Sequence, residues 1–456
     1  MGLFNLWYRK RGDLRVLVDV GSHAIKALAV EILPSAERFR VIKKFVLKLP
    51  PGKGLDRVVQ ARGSDSDALR TITKLREFLF SLLKEFERVP QKILVAFGPS
   101  LADYSIQTWN FYPEKQEKNI SRDDASLYFY TLLSQHRDWK KSVMAEPLEM
   151  TVNGYPVRFG EERRPTYTLD RGSVGTLIAR PGGFIPPPSL APSGLAWSTK
   201  EVPKSLPRDP IPREKVGGFI RFPQKMPVEG ELGFRVILLS FQETIGRRLL
   251  EMKESLGGMP IEFIPLVAAH AEGVLTPLRL EDAFFIDIGG EETTLASFKE
   301  GSLIYAAAFP VGARHFIRGI STITSLSFDE AENAKRRYAH NLTSEAAKRK
   351  LNEFLTQEFT IWEQQFLRTL DDFYPFGPLP ADIFLFGGGT YIPEISNWVR
   401  SSNWYKDFSY VSSPRVKVLA AHSIFVGDSL GGFLQGPEDV GLASLLIYSL
   451  NHESIF

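Results

Sequence analysis

The chain has 456 residues, more than one compact core usually holds, so two to four subdomains are expected. Lys and Arg (56) nearly balance Asp and Glu (53), and a net charge of +3 gives no reason to expect nucleic acid as a partner. The absence of cysteine excludes disulfides, thiolate metal sites and cysteine nucleophiles.

In chain order, residues 1–12 form a separate N-terminal segment. Leu3, Phe4, Leu6 and Trp7 are apolar, and Arg9, Lys10 and Arg11 follow, the reverse of a signal peptide. Such a segment suits contact with an anionic membrane surface. The alternative is a frayed terminus whose aromatics pack on the domain. No stretch approaches the roughly 18 apolar residues of a spanning helix, so the expected location is cytoplasmic.

Residues 13–90 read as three strands (16–20, 25–32 and 40–49) and an amphipathic helix capped by Asp67, ended by Pro90. Residues 91–159 have the size of a small inserted α+β domain. It contains strands at 92–98 and 105–111, a helix with Ser121 and Asp124 in a capping-box pattern, and an Asn153-Gly154 turn. Twelve of the 30 prolines fall between Pro165 and Pro227, so 160–232 is expected to be an extended insertion with a few added strands. Order resumes in 233–280, expected to continue the lobe begun by 13–90, with a strand, the helix 242–256, a short strand and a small-residue helix at 266–275. Residues 281–327 begin with another hairpin, 328–374 are helical, and 375–456 contain a strand, a triple glycine and a closing helix.

One design occurs twice. Val16-Leu-Val-Asp-Val-Gly-Ser-His and Phe284-Phe-Ile-Asp-Ile-Gly-Gly-Glu are each an apolar run, read as a buried strand, that ends in Asp-x-Gly and turns into a second strand. Such a turn places a carboxylate and several backbone N–H groups at one strand end, where glycine lets a phosphate approach and the carboxylate can hold Mg²⁺. A single copy is most simply a hairpin turn; two facing copies would clamp a nucleoside triphosphate. Gly387, Gly388 and Gly389, between a strand and a helix, would let a flat ligand or a phosphate lie against bare backbone.

The order Asp19-x-Gly21-Ser22-x-x-x-Lys26, Asp287-x-Gly289-Gly290 with Thr293-Thr294, then Gly387-Gly388-Gly389 resembles the actin/hexokinase/DnaK-type ATPase superfamily. Within it the chain is most similar to the bacterial division family FtsA, with the pilus-assembly family PilM as runner-up. Glu330-Ala-Glu332-Asn-Ala-Lys335 resembles the family's nucleoside-contacting segment, and Pro265-Leu-Val-Ala-Ala-His-Ala-Glu272 the first connecting helix. The resemblance implies an α/β, actin-like (RNase H-like) two-lobed ATPase fold with a small inserted domain. It implies ATP and Mg²⁺ as cofactors, with Asp19 and Asp287 orienting the metal. Gly21, Ser22, Gly289 and Gly290 would supply phosphate donors, with Lys26, Thr293 and Thr294 assisting. Glu332 and Lys335 would meet ribose or adenine, and Gly387, Gly388 and Gly389 the adenosine.

Glu272 would orient the attacking water in a slow hydrolysis, unless it is an ordinary exposed helix glutamate. Lys26 as a solvated hairpin lysine, and the two threonines as core-facing strand residues, are the corresponding alternatives. The implied role is self-association into filaments and a link between a tubulin-like division partner and the membrane. The alternatives are a PilM-like scaffold for a pilus membrane protein peptide, or a fold that no longer uses nucleotide. Glu291-Glu292 in the second phosphate loop, Ala313, Ile317 and Gly319 depart from the family pattern and bear on turnover. FtsA's C-terminal linker and membrane helix have no counterpart here, which leaves residues 1–11 as the candidate for membrane contact.

Overall fold

Near-continuous apolar runs dominate the strands, because most of them are covered on both faces. The computed structural model describes residues 12–33, 39–50, 65–111, 142–152, 155–157, 231–257, 259–401, 404–425 and 432–451. It also describes shorter pieces at 128–129, 132, 167–169, 177–179, 215–216 and 219–220. The N-terminal segment 1–11, the Ser121 capping box, the Asn153-Gly154 turn and most of 160–232 lie outside the described residues.

In chain order the elements are β1 (Asp13–Val20), β2 (Ala24–Ile32), β3 (Phe39–Lys48), α1 (Asp65–Leu83), β4 (Lys92–Phe97), β5 (Asp103–Phe111), β6 (Ser142–Val152) and β7 (Tyr155–Val157). Four short strands follow: β8 (Tyr167–Leu169), β9 (Leu177–Ala179), β10 (Lys215–Val216) and β11 (Phe219–Ile220). Then come β12 (Leu232–Ser240), α2 (Glu243–Ser255), β13 (Ile261–Pro265), α3 (Leu266–His270), β14 (Ala283–Ile288), β15 (Thr293–Lys299) and β16 (Ser302–Phe309). The rest is α4 (Ala313–Thr324), α5 (Phe328–Ala339), α6 (Glu345–Asp371), β17 (Asp382–Phe386), α7 (Pro393–Ser401), β18 (Arg415–Val418) and α8 (Val440–Asn451).

Two five-stranded sheets repeat one topology, β13-β4-β1-β2-β3 and β16-β15-β14-β17-β18. In each, the strand carrying the aspartate forms an antiparallel hairpin with the next strand and lies parallel to a later one. The strand equivalences β1/β14, β2/β15 and β4/β17 follow directly. A smaller antiparallel sheet has the order β5-β12-β6-β7.

Three local expectations change. The strand 92–98, expected in the inserted domain, is β4, buried throughout and parallel to β1. Conversely β12, expected to restart the first lobe, is a central strand of the small sheet, between β5 and β6. A run apolar on both faces fits any sheet centre, so periodicity could not choose between them. Helix α1 begins at Asp65, which puts Asp67 inside its first turn, where its carbonyl accepts the Thr71 hydroxyl at 3.0 Å.

One core sits under α1 and α2 in the first lobe, and another under α4, α6 and α7 in the second. A third joins the lobes, with Leu17, Ala96 and Ile264 from one sheet, Phe285 and Phe386 from the other, and Val274, Leu442 and Leu446 between. Here the helical stretch 266–275 meets α8. It is not uniform: α3 passes into a π-helical turn, Ala271–Leu275. A Cβ on Gly273 would overlap Ser444 of α8, so glycine is what lets the two backbones cross this closely. Among the described residues no helix is long and apolar enough to cross a membrane.

Candidate functional site

The repeated topology brings equivalent strand ends together. Asp19 is the penultimate residue of β1, opposite Lys26 on β2 and beside Ala96 on β4. Asp287 has the same place in β14, opposite Thr294 on β15 and beside Phe386 on β17. The loops that follow β4 and β17, residues 98–100 and 387–389, are therefore equivalent too. All four segments line one cavity of about 510 Å³, closed by α3, α5 and the start of α8. That volume is within the range of small-molecule and cofactor sites.

At the floor Asp19 is buried, and Asp287 is half-buried, with a quarter of its side chain exposed. Burial raises the Asp19 pKa, opposed by the Lys26 ammonium 3.9 Å away. Asp287 is pushed up to about 7, first by burial and then by the Asp19 charge. Lys26 also donates to the Glu438 carbonyl, so it serves the opposite lobe as well. Two carboxylates facing one ammonium at the floor of a cleft create a demand for positive charge. Hard oxygen donors of this kind suit Mg²⁺, which uses one or two carboxylates and takes its other ligands from water and phosphate. Among the described residues no cluster of three or more His, Cys, Asp or Glu side chains forms a metal cage. The donor set thus fits a cation shared with a phosphate ligand.

Of the residues singled out from sequence, Asp19, Gly21, Ser22, Lys26, Asp287, Gly289, Gly290, Thr294, Glu332, Lys335, Gly387 and Gly388 line this cavity. Others take different roles. The N–H of Gly21 closes its turn on the Ala24 carbonyl at 3.2 Å, and that of Gly289 on the Glu292 carbonyl at 2.9 Å. Neither amide is then directed at a phosphate, in contrast to the expectation. Thr293 is fully buried behind the site. Its hydroxyl donates to the Val311 carbonyl at 2.7 Å and accepts the Trp362 indole N–H at 3.0 Å, so it is a core residue. Gly389 packs on Ile288, where a side chain would overlap it. Gly387, at φ +88°, has the conformation that favours glycine, and a Cβ there would run into Asp287. Glu272 does not line the cavity: its carboxylate accepts from Asn451 Nδ2 at 3.1 Å, near the end of α8. Its carboxylate is thus directed away from the cavity in which the water-orienting group was expected.

Glu332 and Lys335 lie on one face of α5, four and one positions from Arg336. Burial raises the Glu332 pKa, but His23, Arg336, Lys48 and Lys335 outweigh it and leave a lowered value. Arg336 is 2.6 Å from it and Lys48 3.5 Å. Burial lowers Lys335 to about 8. Beside them Tyr391 donates to Glu438 at 2.8 Å, and Lys44 pairs with Asp439 at 2.7 Å.

The paired glutamates part company. Glu291 turns to Arg318 at 2.8 Å and Arg314 at 3.5 Å, while its N–H donates to Ser22 Oγ at 2.9 Å across the cleft. Glu292 remains in the cavity wall, beside Gly98 and bonded to Ser100, and burial pushes it up to about 7. Of this pair, only Glu292 lines the cavity.

Sequence reasoning missed His23, His270 and Arg314. Arg314 joins the lobes: it donates to the carbonyls of Leu49 at 2.5 Å and Pro50 at 3.2 Å, and to His23 Nδ1 at 3.2 Å. Burial and then Arg314 hold His23 near a pKa of about 4, which makes it a neutral acceptor. His270 had a visible signal as the one polar side chain among Ala268, Ala269 and Ala271.

Residues 284–421 match the family model described as cell division protein FtsA. Over 131 residues the chain is 30% identical to cell division protein FtsA of Bacillus subtilis (strain 168), a match spanning 28% of this chain and 28% of that protein. The chain thus aligns with little more than a quarter of that curated relative. Among solved structures, a chain of the PilM-PilN type IV pilus biogenesis complex superimposes with a TM-score of 0.54 at 13% identity, covering 95% of this chain and 97% of that one. Ethanolamine utilization protein EutJ from Carboxydothermus hydrogenoformans gives 0.40 at 12% identity, covering 95% and 89%. The first of these likenesses establishes the fold; the second is too low to argue from.

Proposed function

We propose that this chain, which has the actin-like ATPase fold, binds ATP with Mg²⁺ in the cleft between its two lobes. The observation that carries this reading is the pair of equivalent strand-end aspartates, Asp19 and Asp287, facing one cavity from two copies of the same strand topology. In it Asp19 and Asp287 hold the cation and its waters. The cation supplies charge neutralisation at the phosphates. Lys26, the Ser22 hydroxyl and the backbone at Gly290 receive the phosphates. Lys335, Glu332 and the bare backbone at Gly387 and Gly388 receive the nucleoside.

The match over 284–421 supports a wider role of the FtsA kind: self-association and a link between a tubulin-like division partner and the cytoplasmic membrane. A PilM-like pilus scaffold is the other setting for the same fold, and the fold alone does not choose between them. One feature favours a third reading without nucleotide, the Glu292 carboxylate in the cavity wall.

Thermal unfolding with and without Mg²⁺–ATP tests the proposal. At 100 times its Kd, ATP should stabilise the wild type by about 2.7 kcal/mol. The Asp19→Ala/Asp287→Ala variant should lose that increment. A folded wild type that does not respond would overturn the reading in favour of a nucleotide-free scaffold.

A further inference from the structure

Hydrolysis of a phosphoanhydride depends mainly on positioning water in line with the terminal phosphate. Glu272, the residue expected to do this, bonds Asn451 away from the cavity. Two residues earlier on the same helical stretch, and so on another side of it, His270 faces the cavity. Its ring is fixed on three sides. Phe386 packs edge-on at 5.0 Å and Phe285 at 6.3 Å between centroids, and Nδ1 lies 3.0 Å from Ser444 Oγ. The opposite nitrogen, Nε2, is buried with no hydrogen-bond partner, 4.0 Å from Asp287 Oδ2. A buried polar atom without a partner calls for an explanation. This gap is too long for a direct hydrogen bond and has the width that one water bridges.

We propose that His270 Nε2, together with Asp287 Oδ2, positions the water that attacks the terminal phosphate; this rests on the nucleotide reading above. With Nδ1–H donating to Ser444 Oγ, Nε2 is an acceptor. The water donates one hydrogen to Nε2 and the other to Asp287, which leaves its oxygen lone pair for phosphorus. The new P–O bond forms as the bond from phosphorus to the bridging oxygen breaks. The bridging oxygen keeps the electron pair and leaves on ADP, and both water protons stay with the released phosphate as dihydrogen phosphate. Neither His270 nor Asp287 changes its protonation over the cycle.

The test compares kcat for Mg²⁺–ATP hydrolysis with the Kd for Mg²⁺–ATP in wild type, His270→Phe, His270→Gln and Ser444→Ala. His270→Phe should slow kcat about 100-fold, the scale of a lost positioning group, with Kd within twofold of wild type. His270→Gln, which can still accept a hydrogen bond, should recover part of the rate. Ser444→Ala frees the ring and should give a smaller loss; with His270→Gln it carries the test if circular dichroism shows that His270→Phe does not fold. An unchanged kcat in the His270 variants overturns the proposal, as does a Kd that weakens in step with kcat. A wild type that binds ATP without hydrolysing it also overturns it. A wild type that does not bind ATP overturns the nucleotide reading itself.

Discussion

Replacing Asp287 by asparagine removes a half-buried carboxylate whose pKa lies far above its unfolded value, about 7 against 3.8. The sign of the linkage follows. Between these two values the folded state holds a proton that the unfolded chain has released, so this group lowers stability as pH rises and does so fully above pH 7. At about 1.4 kcal/mol per pH unit the gap corresponds to about 4 kcal/mol. A quarter of the side chain is exposed, and solvent screening reduces this to about 2 kcal/mol. In chelator, without nucleotide, Asp287→Asn should therefore be about 2 kcal/mol more stable than wild type at pH 8, and nearly equal to it below pH 4. His270 has the opposite dependence, losing stability as pH falls below its unfolded value of 6.5, so a contribution from it would make the difference grow toward low pH rather than high. Urea unfolding at half-unit pH steps measures that difference. A difference that does not grow with pH between 4 and 8, or a variant less stable at pH 8, would refute the reasoning that burial, and then the facing Asp19 charge, disfavour the Asp287 carboxylate.

Thr293→Val should destabilise the protein by about 1–3 kcal/mol, because it leaves the Val311 carbonyl and the Trp362 indole without their shared partner. Urea unfolding checks the loss, and ATP affinity of the folded variant should be unchanged. Glu272→Gln should leave both the Kd for Mg²⁺–ATP and kcat within twofold of wild type, since its carboxylate is engaged with Asn451 outside the cavity; a kcat loss above tenfold would restore it as a water-positioning residue.

The sequence by itself determined the repeat. An apolar run ending in Asp-x-Gly is local information: the strand, the turn and the position of the carboxylate at the strand end all lie within about eight residues. Both Asp19 and Asp287 therefore stand where their strings of residues imply. The amphipathic helices were legible for the same reason, since α5 occupies Phe328–Ala339 as its pattern indicates and Ser344 caps α6. Tertiary structure decided what depends on which face is covered and by what. Only pairing partners could assign β4 and β12, because an apolar strand is at home in any sheet centre. Adjacent residues of identical type diverged for a similar reason: Thr294 reaches the cavity while Thr293 is bonded in the core, and Glu292 stays where Glu291 leaves for Arg318. Which of Glu272 and His270 faces the cavity follows from the close crossing at Gly273 and Ser444. That crossing sets the rotation of the connecting helix about its axis, a long-range packing constraint that no spacing within the helix encodes.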